Sequence, residues 1–188
     1  MIGSCPRYTL RVNHLHVRSL PIALFVIFFV VVGLNPASAR TAPVDLPNFH
    51  TVAPGIYRGG APTEAGLEQL KSLGVKTVID LRISPKLVKV EKVEAAQLGF
   101  NWINLPMCSD PPTPKEVAVF IATLQKAPSQ PVFVHCQHGA DRTGCMIGIW
   151  RETQQGWAYA PTFAEMKKYG FQSRWVKLSA AVRQNAKS

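Results

Sequence analysis

Acidic residues are scarce in this chain of 188 residues. Eleven Asp and Glu stand against 21 Lys and Arg, a net charge of +10. Such an imbalance selects partners that carry negative charge: nucleic acid, an anionic membrane or a phosphorylated ligand. The basic residues are scattered and lack interleaved aromatics, which argues against nucleic acid. Cysteine is sparse too. Four are present, and no C-x-x-C pair exists, so neither a disulfide framework nor a paired-cysteine zinc site is expected. There is no phosphate-binding Walker loop, no H-E-x-x-H and no dinucleotide fingerprint. No internal repeat appears. With 47% hydrophobic residues, the chain is too apolar to stay disordered.

The longest apolar run is Leu20 to Leu34, 15 residues without a charge. Arg7, Arg11 and Arg18 precede it, with no acid. Ala37-Ser38-Ala39 follows, directly before Arg40. Positive flank, short apolar segment and small-x-small site predict a secretory signal peptide over residues 1–39, cleaved after Ala39. The run is shorter than the ~20 residues that usually span a bilayer. Left uncleaved, it would be an anchor. Cleavage predicts a periplasmic or secreted protein in a bacterial host. It removes three Arg and no acid, so the net charge of +10 falls by three to +7 over residues 40–188.

The rest alternates strand and helix signals. Gly55 to Arg58 reads as a strand ending at Gly59-Gly60, after a Pro-rich lead-in to Phe49. Thr63 to Ser72 reads as a helix anchored by Leu67 and Leu70. Val75 to Leu81 is rich in β-branched residues and reads as a buried strand. Lys86 to Leu98 predicts a helix with Val90, Val93 and Leu98 facing inward, ended by Gly99. Asn101 to Leu105 is a further strand. Thr113-Pro114-Lys115-Glu116 is a capping box opening a helix on Val117, Phe120, Ile121 and Leu124. Pro131 to His135 is wholly apolar before its final His, as expected at the centre of a covered sheet. Thr143 to Arg151 predicts a buried helix. Thr162 to Glu165 reads as a second capping box, and Ser173 to Asn185 as a terminal helix. Together these predict one α/β domain over residues 40–188: a sandwich with a central, mainly parallel sheet flanked by helices.

Between the most buried strand and the most buried helix lies His135-Cys136-Gln137-His138-Gly139-Ala140-Asp141-Arg142-Thr143-Gly144. A loop at a helix N-terminus gathers backbone N–H groups around one point and suits a tetrahedral oxyanion. The same field favours a thiolate at Cys136. Arg142 follows six residues later, and its planar fork can hold two phosphate oxygens. Gly139 permits a tight turn. The Thr143 hydroxyl is placed to hydrogen-bond the Cys136 sulfur. His135 is expected to support the loop, and residues Gln137 to Arg142 to contact substrate. Free cysteines are often simply core. Arg142, Gly139 and Thr143 in one strand-loop-helix frame outweigh that reading.

His-Cys-x5-Arg-Thr-Gly resembles the signature of the cysteine-dependent protein tyrosine and dual-specificity phosphatases. The similarity extends through Gly55 to Pro62, Gly74 to Arg82, Glu165-Met166 and Tyr169-Gly170-Phe171, about residues 50–172. These stretches are similar to small bacterial dual-specificity-like phosphatases. The resemblance implies one phosphatase domain acting through a phosphocysteine intermediate, with no metal and no cofactor. It implies a phosphorylated protein, a phosphoinositide or another small phosphate as substrate. Membrane contact would come only through the N-terminal segment or an anionic surface, and a monomer is expected. Rhodanese-like sulfur transferases also close a Cys loop with Arg, but on a shorter loop. Low-molecular-weight arsenate reductases carry theirs near the N-terminus.

The leaving group needs an acid, and two carboxylates compete. Asp110 lies 26 residues before Cys136, about where similar phosphatases place their acid on a loop. Asp141 lies inside the signature, as in bacterial relatives with an Asp-Arg pair. Analogy favours Asp110, with Asp141 then shaping the pocket, and both remain open. Asp80 and Arg82 are expected to pair structurally. Cys108 is expected to be a free thiol, with a reversible disulfide to Cys136 as the alternative.

Overall fold

The computed structural model describes residues 45–185. The predicted signal segment, 1–39, lies outside them.

Among the described residues, five strands form one sheet in the order β1-β2-β5-β3-β4. They are β1 (His50–Ala53), β2 (Ile56–Gly59), β3 (Thr77–Asp80), β4 (Asn101–Asn104) and β5 (Val132–His135). Only β1 runs antiparallel to its neighbour. The helices are α1 (Glu64–Ser72), α2 (Pro85–Gln97), α3 (Pro114–Leu124), α4 (Asp141–Gln155), α5 (Tyr159–Lys168) and α6 (Val176–Arg183). This is the α/β sandwich that the alternation of signals predicts.

Side chains alternate across each strand, so the central strands feed two cores. Val78 and Phe133 join Leu67 and Leu70 of α1 and Ala95 of α2. Ile79, Val132 and Val134 join Phe120 of α3, Met146 and Ile149 of α4, Met166 of α5 and Leu178 of α6. Strand β5 is buried throughout, as its run of apolar residues requires. The Thr113 capping box is formed: the Thr113 hydroxyl accepts from the Glu116 N–H, and the Glu116 carboxylate accepts from the Thr113 N–H.

Two expectations need correction, and one strand was not expected. Val90 and Val93 of α2 do not face inward; they are 50% and 51% exposed. The buried positions of that helix are Glu91 and Ala95. A helix presents one face to the sheet, and here a carboxylate with three partners takes it. The second capping box is also absent. Helix α5 starts at Tyr159, so Thr162 lies within it and its hydroxyl donates to the Ala158 carbonyl. Glu165 instead pairs with Arg151 at 2.6 Å. The S/T-x-x-E pattern equally fits an i, i+3 pair inside a helix. Pro161 is tolerated there because first-turn N–H groups have no intrahelical partner. Finally, β1 forms at His50–Ala53, directly after the Pro-rich lead-in, in a stretch to which the sequence assigned no element.

Candidate active site

Strand β5 ends at His135, and α4 begins at Asp141. Residues 136–140 bridge them at the C-terminal edge of the parallel strands, the usual place for ligands in such sheets. The bridge turns at Gly139, whose φ is +70°. A Cβ there would strike the Gly59 carbonyl and come within 2.5 Å of the Gly60 nitrogen. Loop and β2 are therefore in backbone contact, which no side chain could permit.

Cys136 sits at the base of this loop, 2% exposed. Burial opposes its ionisation, but the Thr143 hydroxyl and N–H, the Arg142 guanidinium and the His138 N–H outweigh it. The thiol is held below its ordinary value. The Thr143 hydroxyl is buried and has no other hydrogen-bond partner, and it helps hold the thiol down. By contrast, burial pushes Cys145, in the core of α4, up to about 12. Cys108, Cys136 and Cys145 are all free thiols.

Above the loop opens a cavity of about 550 Å³. Gln137, His138, Asp141 and Arg142 line its floor. Ile83 and Leu87 form one wall, and Arg174, Trp175 and Leu178 another. Arg142 Nη1 donates to the Met107 carbonyl at 3.3 Å, tethering the guanidinium to the segment after β4. Asp141 Oδ1 accepts from the Gln172 N–H at 2.8 Å. Cys108 and Ser109, directly before Asp110, also line the cavity, while the Asp110 carboxylate itself is exposed and paired with Lys177 at 2.6 Å. The fold thus places Asp141 in the cavity lining and the segment carrying Asp110 at its rim.

Behind the loop is a buried ionic network. Arg82 grips Asp80 through Nε and Nη2, both at 3.0 Å, and reaches Glu91 at 2.6 Å. Glu91 also accepts from Trp102 at 3.2 Å and contacts His135 Nε2 at 2.9 Å. The other imidazole nitrogen, Nδ1, lies 3.2 Å from the Cys136 carbonyl. Both ring nitrogens face acceptors, so the ring satisfies them as an imidazolium. Burial alone would lower the His135 value, but Glu91 and Asp80 raise it. Glu91 is held below the carboxylate range: burial opposes this, and His135 and then Arg82 overcome it. Asp80, Glu91 and His135 bring their ligand atoms within 4.8 Å of one another, as a metal site would. The Arg82 guanidinium already bridges both carboxylates, so the fit to a cation is poor.

The sequence reading placed Asp80 and Arg82 together but missed Glu91. Breaking a buried network strands its remaining charges, so Glu91→Ala is expected to destabilise the fold by about 3–5 kcal/mol. The pH sign follows from the two shifts. Glu91 is depressed, so its contribution is present above the ordinary carboxyl value of 4.5 and fades as pH falls. His135 is raised, so its contribution is complete below 6.5 and fades as pH climbs through the raised value. Thermal midpoints followed against pH should show both limbs in the wild type and flattened limbs in Glu91→Gln.

Residues 42–184 match the family model described as a DSP-PTPase phosphatase fused to NAD+ kinase. The dual specificity protein phosphatase TpbA of Pseudomonas aeruginosa (strain UCBPP-PA14) is 29% identical over 138 residues, 73% of this chain and 61% of that protein. Inositol diphosphatase DSP3 of Arabidopsis thaliana is 30% identical over 130 residues, 64% of this chain and 61% of that protein. The chain thus spans about three fifths of the length of these curated relatives. A crystal structure of P. aeruginosa TpbA matches with a TM-score of 0.63 at 28% identity, covering 80% of this chain and 91% of that one. A TpbA structure in complex with pTyr matches equally well, at 0.63 and 27% identity, covering 76% of this chain and 87% of that one. The family model spans most of the chain, and the solved relatives share its fold. The chain is a member of the DSP-PTPase phosphatase family.

Proposed function

We propose that this chain hydrolyses phosphate monoesters through a covalent intermediate on Cys136. The observation that carries the reading is a buried thiol held below its ordinary value, beneath a loop that ends in Arg142 at a helix N-terminus. Cys136 Sγ attacks phosphorus in line with the ester oxygen. The S–P bond forms as the P–O bond breaks, and the leaving oxygen takes a proton from a carboxylic acid. Arg142 and the loop N–H groups balance the charge on the three equatorial oxygens. Water then attacks phosphorus, giving a proton back to that carboxylate. The S–P bond breaks, and the Thr143 hydroxyl donates to the departing thiolate.

Asp141 is the better candidate for the acid because it lines the cavity, whereas Asp110 is tied to Lys177 on the surface. An exposed pair of this kind is screened by solvent, so the pairing alone is a weak restraint on Asp110. Asp141→Asn should remove the falling limb of the pH–rate profile at high pH and most of the rate. Asp110→Asn should leave both within a few fold. The reverse pattern assigns the acid to Asp110.

The relatives' names support two substrate classes. The apolar walls of Ile83, Leu87, Trp175 and Leu178 suit an aryl phosphate such as phosphotyrosine. Arg174 in the same lining supplies a second cation for an inositol polyphosphate. The test is phosphate release by the full chain, with chelator present, from a phosphotyrosine peptide and from an inositol diphosphate. Hydrolysis of neither overturns the proposal. Export of the domain, supported by the Arg-flanked apolar run and Ala37-Ser38-Ala39, is part of the same reading.

A further inference from the structure

The loop's carbonyl groups are taken up one by one from outside. His135 Nδ1 meets the Cys136 carbonyl at 3.2 Å, and the Ala61 N–H donates to the Gln137 carbonyl at 3.2 Å. Asn48 Nδ2 donates to the His138 carbonyl at 3.2 Å, and Arg58 Nη2 to the Gly139 carbonyl at 2.7 Å. In a planar trans peptide the C=O and the next N–H point opposite ways. Each outward carbonyl therefore turns the following N–H inward, to where an oxyanion would sit.

Two of these four clamps are side chains that are remote in sequence and unusual in setting. Asn48 is the only non-glycine with positive φ among the described residues, at 51°. Its side chain donates to both the His138 and Tyr169 carbonyls, and its oxygen lies 3.0 Å from His50 Nε2. Left-handed backbone is tolerated best by Gly and Asn, and such strain gathers at functional sites. Arg58 is wholly buried, with no carboxylate bonded to it and with Nε and Nη1 unpartnered. Its guanidinium lies 4.6 Å from the Tyr169 ring centroid. Burial pulls its value down to about 10, so it stays charged near neutral pH. A fold stabilised only by packing has no use for such a costly cation.

We propose that Asn48 and Arg58 are positioning residues of the loop: they hold the His138 and Gly139 carbonyls outward and so aim the Gly139 and Ala140 N–H groups at the phosphate. The inference rests on the reading of the loop as a phosphate site. It separates two functions of that loop. The His138 N–H, which faces the Cys136 sulfur, is aimed by the Ala61 clamp on the Gln137 carbonyl. Asn48 acts one peptide further on. Losing Asn48 should therefore weaken oxyanion binding and leave the thiol's ionisation alone.

The test uses the full chain and two readouts. One is inhibition by inorganic phosphate of p-nitrophenyl phosphate hydrolysis. The other is the pH midpoint of Cys136 alkylation by iodoacetamide. Asn48→Gly keeps the backbone conformation unstrained and removes the donor; Asn48→Asp keeps the shape and removes the donor. Both should weaken phosphate roughly ten- to hundred-fold, the range for one hydrogen bond to a charged group, with the alkylation midpoint unmoved. Arg58→Met should weaken phosphate at least as much, and Arg58→Lys should restore part of the loss. Unchanged phosphate affinity in both Asn48 variants overturns the inference. So does an alkylation midpoint that moves together with the affinity in the Asn48 variants, which marks general collapse of the loop. A wild-type chain that neither binds inorganic phosphate nor hydrolyses p-nitrophenyl phosphate overturns the reading of the loop itself, and the inference with it.

Discussion

Cys136→Ser is expected to lower turnover by at least about four orders of magnitude, as losses of a covalent nucleophile do. The fold should be preserved. The substitution is nearly isosteric, and the loop N–H groups are held by neighbours rather than by the sulfur. Every device around Cys136 serves a thiolate: the Thr143 hydroxyl and N–H, the Arg142 charge and the His138 N–H all overcome burial to favour the anion. A serine hydroxyl gains the same environment but starts from a far higher pKa, so it stays protonated at neutral pH. Inorganic phosphate should therefore still inhibit residual binding of substrate analogues, because its contacts are with the loop and Arg142. Activity and phosphate affinity measured on one preparation separate the two effects. The pH dependence is equally specific. Alkylation of wild-type Cys136 should proceed at a pH below that of an ordinary thiol, while Cys145, pushed up to about 12, should stay unreactive.

The second large effect is expected at Gly139. An added methyl group at this position meets the Gly59 carbonyl and the Gly60 nitrogen, which are backbone atoms of a strand end. Neither can rotate away. The φ of +70° adds about 1–2 kcal/mol for any residue with a Cβ. Gly139→Ala should therefore push the loop off β2 and release the Arg58 bond to the Gly139 carbonyl. The Ala61 bond to the Gln137 carbonyl should go with it. The expected loss is about 3 kcal/mol or more of stability, in the range of severe backbone or packing faults. Phosphate binding should fall by more than in Asn48→Gly, because several N–H groups lose their aim together. Chemical denaturation and phosphate inhibition measure the two losses. Gly144→Ala is the control. Its added carbon would meet only side-chain atoms at ordinary contact distance, the nearest 3.6 Å away.

What the sequence made legible was local. Strand β5 reads directly, because an unbroken apolar run admits few other interpretations. The loop after it reads directly too, because its chemistry lies in consecutive residues. What stayed hidden depends on contacts between distant segments. Glu91 lies 44 residues from His135, and nothing in the α2 sequence marks it as an inward carboxylate. The valines beside it gave the stronger apolar signal, and the helix phase ran the other way. Asn48 acts across 90 residues and Arg58 across 81. Each does so by bonding a carbonyl, a group every residue carries, so no residue type in the loop announces the partner. The choice between Asp110 and Asp141 was open for the same reason. Loop spacing allows either to reach the site, and what bears on the choice, the Lys177 partner of Asp110 and the Gln172 partner of Asp141, comes from distant segments.

The central claim is a covalent phosphocysteine at Cys136. The most direct measurement is rapid acid quenching during hydrolysis of an aryl phosphate, followed by mass spectrometry of the digested chain. The account predicts phosphate on the peptide carrying Cys136, lost in Cys136→Ser and accumulating in whichever of the two Asp variants slows its hydrolysis. Rapid turnover with no phosphate on the protein, or with phosphate on another residue, would contradict it.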